Sequence, residues 1–270
     1  MPKLKSNIDT SPSVYGKYAV MAAKHKAVNF TQGAPDFDTP QWLIDSTNYY
    51  MNNNKNQYSP IPGTAALRNA IVSKTKNCYK IEIETDNVAI TAGAIEGLFS
   101  IITAYIDKGD EVIMFDPVFD AYVGITNINQ GKCIRLNFSP NGRIDTQAIA
   151  NAITDKTKLI ILNSPHNPMG TTISKSEYIE IAKITKDKDI LIISDEVYEH
   201  IYAGDNFISA IEIAELRNKT IILQSLGKTY NLTGWRLGVA IAPAEIIKNL
   251  LAVKQFATFS AVHPMQLALA

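Results

Sequence analysis

Thr220-Ile221-Ile222-Leu223-Gln224-Ser225-Leu226-Gly227-Lys228-Thr229-Tyr230 joins a continuous apolar run to a cluster of hydroxyls, a glycine and a lysine. A β-rich run without polar alternation reads as a strand buried on both faces, the pattern of a parallel sheet. Four more runs share this form: Val88-Ala89-Ile90-Thr91, Glu111-Val112-Ile113-Met114-Phe115, Lys158-Leu159-Ile160-Ile161-Leu162 and Ile190-Leu191-Ile192-Ile193. Helical patterns lie between most of them, such as Ile95 to Tyr105 and Lys175 to Asp187, and Thr64 can cap a helix from Ala65 to about Asn77. Strands alternating with helices predict an α/β domain with a largely parallel sheet. The run Arg236 to Ala242 follows Lys228 too closely for a helical crossover, so an antiparallel addition is expected there. Residues 1–40, punctuated by Gly33, Pro35 and Pro40, read as irregular.

Each run passes at once into a polar or glycine-containing cluster: Ala92-Gly93-Ala94, Asp116 to Asp120, Asn163 to Pro168, Asp195-Glu196-Val197-Tyr198, and Ser225 to Lys228. Ligands of open parallel sheets bind outside the carboxyl ends of the strands, so parallel strands would bring all five clusters to one edge. Lys228 follows an apolar strand, where a charged amine is costly and its pKa should fall. A neutral amine can form a Schiff base with a carbonyl. Arg236, eight residues on, offers a fixed fork suited to phosphate. An amine for an aldehyde beside a guanidinium for a phosphate suggests pyridoxal phosphate. Gly227-Lys228-Thr229 also resembles the end of a P-loop, but Ile222 stands where that motif requires glycine.

The other clusters carry complementary chemistry, each with a plainer alternative. Gly93 and Ala94 open a helix whose free N–H groups suit a phosphate, or they form an ordinary N-cap turn. Asp195 ends an apolar strand and needs a cationic partner; a protonated pyridine nitrogen is one, a structural salt bridge another. Phe119 can stack on an aromatic ring or simply fill core. Asn167 and Tyr198 can hydrogen-bond a phenolic oxygen or brace their loops.

Composition excludes several classes. Basic and acidic residues balance at 26 each, with no basic block, which argues against a nucleic-acid partner. No run approaches the ~20 apolar residues of a membrane span. The N-terminal Met1-Pro2-Lys3-Leu4-Lys5 lacks a signal-peptide core. Two cysteines, Cys78 and Cys133, cannot build a disulfide framework, so a cytoplasmic protein is expected, with each cysteine a small core residue. Glu196 and His200 stand four apart without further metal ligands nearby.

With these residues in hand, the chain resembles the fold-type I aminotransferases of class I/II from about Asn29 to its last residue. The motifs are Asn29-Phe30-Thr31-Gln32-Gly33-Ala34-Pro35-Asp36-Phe37, Asn56-Gln57-Tyr58, Asn163 to Gly170, Asp195-Glu196-Val197-Tyr198 and Ser225 to Gly238. Asp195 to His200 and Thr258-Phe259-Ser260 look most like the methionine aminotransferases and their kynurenine/glutamine relatives.

The resemblance implies a three-layer α/β/α fold with a mostly parallel sheet and one antiparallel strand. Residues 1–40 would form an N-terminal arm and part of a small domain, and residues 41–270 the cofactor-binding large domain, with the C-terminal small domain absent. Lys228 would hold pyridoxal 5'-phosphate as a Schiff base, and Asp195 would pair with its ring nitrogen. Asn167 and Tyr198 would bond the ring hydroxyl oxygen. Ser225, Arg236, Gly93 and Ala94 would cradle the phosphate, and Phe119 would stack on the ring. Gly33, with Asn167, would meet the substrate. Tyr58 would reach the phosphate of a partner subunit, implying a homodimer with shared sites. Ile95 departs from the pattern, since relatives often carry a hydroxyl there. The implied reaction is transamination between a neutral amino acid (methionine, aromatic or glutamine-like) and a 2-oxo acid. The alternatives are a C–S β-lyase of the same fold and a truncated, non-catalytic cofactor-binding fragment.

Overall fold

The computed structural model describes residues 4–8, 11, 13–29, 35, 37–202, 204 and 207–270. Among them, seven strands form one sheet: β1 (Val88–Thr91), β2 (Glu111–Asp116), β3 (Lys132–Asn137), β4 (Thr157–Asn163), β5 (Leu191–Asp195), β6 (Thr220–Ser225) and β7 (Gly238–Ile241). Their order is β1-β7-β6-β5-β4-β2-β3. β7 runs antiparallel to both its neighbours, and every other pairing is parallel. The expected antiparallel strand is therefore present, inserted between β1 and β6. The strand missing from the sequence reading is β3, which lies at the sheet edge and is half-exposed along its length.

The helices are α1 (Val14–His25), α2 (Gln41–Asn52), α3 (Ala65–Tyr79), α4 (Ala94–Tyr105), α5 (Asp120–Ile128), α6 (Thr146–Ala152), α7 (Lys175–Thr185), α8 (Leu226–Thr229), α9 (Ala244–Ala257) and α10 (His263–Leu269). Thr64 caps α3 as its sequence position suggests, its hydroxyl accepting from the Leu67 N–H. The N-terminal stretch expected to be irregular contains α1, whose N-cap Ser13 accepts from Gly16. The punctuating Gly33, Pro35 and Pro40 all fall after that helix ends.

Alternation along each strand divides the core into two layers, one on each face of the sheet. Ile221 and Leu223 pack with Leu98, Ile101 and Ile102 of α4 and with Ile246 and Leu250 of α9. Ile222, between them, packs on the opposite face with Leu67 and Ile71 of α3 and Tyr178 and Ile181 of α7. Helices thus cover both faces, as the continuous apolar runs require. Each fully buried leucine or isoleucine contributes about 1.5–3 kcal/mol.

Cys78 departs from expectation, being exposed, whereas Cys133 is half-buried and packs against the core. Among the described residues, no helix is long and apolar enough to cross a membrane.

Candidate functional site

Sheet register brings the five clusters to one edge. Asn163 stands opposite Asp195, Asp195 opposite Leu223, and Ser225 and Thr91 both opposite Gly238. A cavity of about 620 Å³ opens there. Its walls include Ala94, Phe119, Asn167, Asp195, Tyr198, Ser225, Lys228 and Arg236, so it draws on all five clusters.

Lys228 sits on the single turn of α8, capped by Ser225, whose hydroxyl accepts from the Lys228 N–H at 3.3 Å. Its ammonium lies 5.3 Å from the centre of the Tyr198 ring. Burial holds this amine below the usual lysine range, Arg236 pushes it the same way, and Asp195 opposes them. A larger share of neutral amine follows, which is the form that attacks a carbonyl.

Asp195 closes β5 with its carboxyl buried. Burial pushes its pKa up to about 6, against the hydrogen bonds from Tyr122 and Val197 and the charge of Lys228. The Tyr122 hydroxyl donates to Asp195 Oδ2 at 2.5 Å, and the Val197 N–H to Oδ1 at 3.3 Å. Tyr122 lies within α5 and was not a sequence candidate. Asn163 is a second addition: its side chain donates to the Asp195 carbonyl at 2.9 Å and accepts from the Asn167 N–H at 2.7 Å. Tyr198 is pushed up to about 12 by burial and by Asp195, so its phenol stays protonated near neutrality.

Arg236 takes the left-handed backbone conformation, with φ 56°. That costs a residue other than glycine about 1–2 kcal/mol. The conformation turns the guanidinium toward Gly93, the N-cap of α4. Gly93 has φ +77°, which favours glycine, and a β-carbon there would come within 2.3 Å of Arg236 Nη2 and push the guanidinium aside. Gly238 is tight for a similar reason, since a β-carbon there would lie 2.5 Å from the Ala94 nitrogen. Glu96 steadies this corner by accepting from the Ala92 N–H at 2.6 Å. A helix N-terminus, a guanidinium and the Ser225 hydroxyl therefore converge on one end of the cavity, a donor set that fits a phosphate. Lys228 and Asp195 line the same cavity. The residues present fit the expected cofactor.

On the other side of the cavity, the Phe119 ring lies 5.5 Å from Tyr122 and 5.8 Å from Tyr15. The Asn167 amide reaches the Tyr15 hydroxyl at 3.5 Å. Ile95 also lines the wall, about half exposed. Tyr58 is not part of this wall. It is 80% exposed and stacks edge-on against Phe259, with 5.4 Å between ring centres. Gly33 falls outside the described residues.

The family model for aminotransferase class I and II matches residues 25–270. The chain is 38% identical over 261 residues to the methionine aminotransferase of Escherichia coli, covering 96% of this chain and 68% of that protein. It is 31% identical over 279 residues to kynurenine–oxoglutarate transaminase 1 of Homo sapiens, covering 97% and 66%. Among solved structures, an Escherichia coli protein identified as having a methionine aminotransferase function superposes with a TM-score of 0.94 at 37% identity, covering 100% of this chain and 71% of that one. The chain thus spans about two thirds of the length of these relatives.

Proposed function

We propose, for a chain that belongs to the aminotransferase class I and II family, that it exchanges the amino group of a neutral amino acid with a 2-oxo acid, using pyridoxal 5'-phosphate held on Lys228. The observation that carries this reading is the shared cavity of the Lys228 amine, the Asp195 carboxyl and the Arg236 guanidinium. Members of the family depend on this cofactor. When bound, it supplies an aldehyde and a ring that withdraws electrons from the substrate α-carbon.

The chain's own residues divide the work. The Lys228 amine is placed to hold the aldehyde of the cofactor and, once free, would serve as the base and acid that carries the α-carbon proton of the substrate. Asp195, ionised above about pH 6, would pair with a protonated ring nitrogen; Tyr122 and the Val197 N–H orient its carboxylate, and Asn163 holds its main-chain carbonyl. Tyr198 and Asn167 would donate to the ring oxygen. Ser225, Arg236, Gly93 and Ala94 would hold the phosphate, and Phe119 would lie against the ring. Asn167 and Gly33 meet the substrate.

The reading extends to a cytoplasmic homodimer in which Tyr58 serves the partner's site; the exposure of Tyr58 away from its own cavity supports that role. Residues 1–40 act as an arm and part of a small domain, and residues 41–270 as the cofactor-binding domain. The Tyr15 and Phe119 rings, together with the similarity to methionine and kynurenine aminotransferases, support an apolar or sulfur-containing side chain on the amino donor. A panel of amino donors with a 2-oxo acid acceptor tests this. Methionine, aromatic donors or glutamine should lead the panel, and a clear preference for aspartate would overturn the substrate class. Release of pyruvate and ammonia from a cysteine conjugate, without amino exchange, would replace transamination with C–S lysis.

A further inference from the structure

Behind the cavity, on the α3 face of the sheet, three side chains close a ring. Lys74 donates to Glu199 Oε1 at 2.5 Å and to Gln224 Oε1 at 3.0 Å. Gln224 returns a hydrogen bond to Glu199 Oε2 at 2.8 Å. Tyr79, also on α3, donates its hydroxyl to the same carboxylate oxygen. The Glu199 and Gln224 side chains are almost wholly buried, and every polar atom of the Gln224–Glu199 pair has a partner. None of these four residues touches the cavity.

Their chain positions give the ring its meaning. Glu199 directly follows Tyr198, and Gln224 directly precedes Ser225, the cap of Lys228. No backbone pairing joins Tyr198 to Lys228. Beyond the last β5–β6 register pair, Asp195 with Leu223, and the Glu196 N–H bond to the Leu223 carbonyl, the ring continues the link between these two segments. We propose that the Lys74–Glu199–Gln224 ring is a positioning device that holds Tyr198 and Lys228 at a fixed spacing, and with it the partly buried setting of the lysine amine. The inference rests on Lys228 being the reactive amine. Around that amine stand Asp195, Arg236 and Tyr198; around the Glu199 carboxylate stand Lys74, Tyr79, His200 and Glu196.

The test reads the amine without cofactor. The pH profile of reductive methylation at Lys228, followed by peptide mass spectrometry, is measured in the cofactor-free chain and in Gln224→Leu. Loosening the ring lets the Lys228 segment shift away from Tyr198 and relieves the burial that depresses the amine. The midpoint should rise by about half a unit, a roughly threefold loss of neutral amine at neutral pH. Lys74→Met should act in the same direction, and it remains informative if Gln224→Leu does not fold. Glu111→Gln removes a comparable cluster with Lys132 and Thr154 far from the cavity, so it should lower the melting temperature without moving the profile. Unchanged Lys228 profiles in folded Gln224→Leu and Lys74→Met would overturn the proposal and leave the ring a purely structural contact. Failure of the functional reading is distinguishable: wild-type Lys228 would then methylate like a surface lysine.

Discussion

The two sides of the cavity are built differently. On the sheet side, Asp195, Tyr198 and Lys228 project from strand ends whose neighbours are buried polar groups with partners: Glu196 with Ser194, Ser209 and Ala210, and Glu199 with Lys74 and Gln224. On the open side, α1 supplies Ser13 and Tyr15 but has no buried residue, and Tyr18, Val20 and Met21 are half or more exposed. Groups that must hold fixed geometry and shifted protonation are anchored in the core. Groups that only line the opening sit on a helix that the described core does not grip. The proposed chemistry would then fall on the side anchored in the core, with α1 shaping the opening.

The largest break comes from the sheet side. Lys228→Ala should lower amino transfer by a factor on the order of a thousand or more, the scale of a lost general base and nucleophile. Steady-state turnover measures it, and near wild-type rates would remove Lys228 from the chemistry. Asp195→Asn should slow the proton-transfer half-reaction by roughly a hundredfold, as expected for loss of a buried charge facing the reacting system. Single-turnover absorbance is the readout, and unchanged traces would dissociate Asp195 from the ring.

Tyr122→Phe should weaken cofactor binding by roughly tenfold, the worth of a hydrogen bond to a charged group. Equilibrium titration at pH 7 checks it.

Protonation sharpens the same comparison. Asp195 is raised to about 6 in the cofactor-free chain, so its ionised form is lost as pH falls through that value. Cofactor affinity should hold above pH 6 and drop by up to about tenfold per unit below it. Glu196, on the buried side, is pushed up to about 8 by burial, against the Ser209, Ala210 and Ser194 hydrogen bonds. Its folded pKa lies above its unfolded one. Its contribution to stability is therefore complete below the unfolded value near ~4.3 and is lost as pH rises through about 8. Thermal midpoints of wild type should fall relative to Glu196→Gln between pH 5 and 8. Parallel curves would contradict that buried proton.

The smallest effect belongs to the open side. Val20→Ser on α1 should change stability by no more than about 0.5 kcal/mol, since the side chain is 72% exposed. A loss of about 2 kcal/mol by denaturant titration would show that α1 is gripped after all.

How much of this was legible in sequence follows the same division. Strands buried on both faces announced themselves as unbroken apolar runs, and the polar clusters at their ends fell together once parallel register was assumed. β3 escaped because Lys132-Cys133-Ile134-Arg135-Leu136-Asn137 alternates at an edge, a pattern the buried-run criterion passes over. Tyr122 escaped because its meaning is a contact with a residue 73 positions away, and within its helix it reads as ordinary core. The Lys74–Glu199–Gln224 ring is invisible for the same reason: three polar residues on α3, the turn after β5 and β6 have no local signature. Gly93 was read as one of two residues opening a helix. Its positive φ and the closeness of the Arg236 guanidinium are visible only in the fold.

Borohydride reduction of the chain after equilibration with pyridoxal 5'-phosphate, followed by peptide mapping, tests the central claim most directly. The account predicts one dominant reduced adduct on the peptide carrying Lys228, absent in Lys228→Ala. Label spread over surface lysines, equal in wild type and Lys228→Ala, would contradict it.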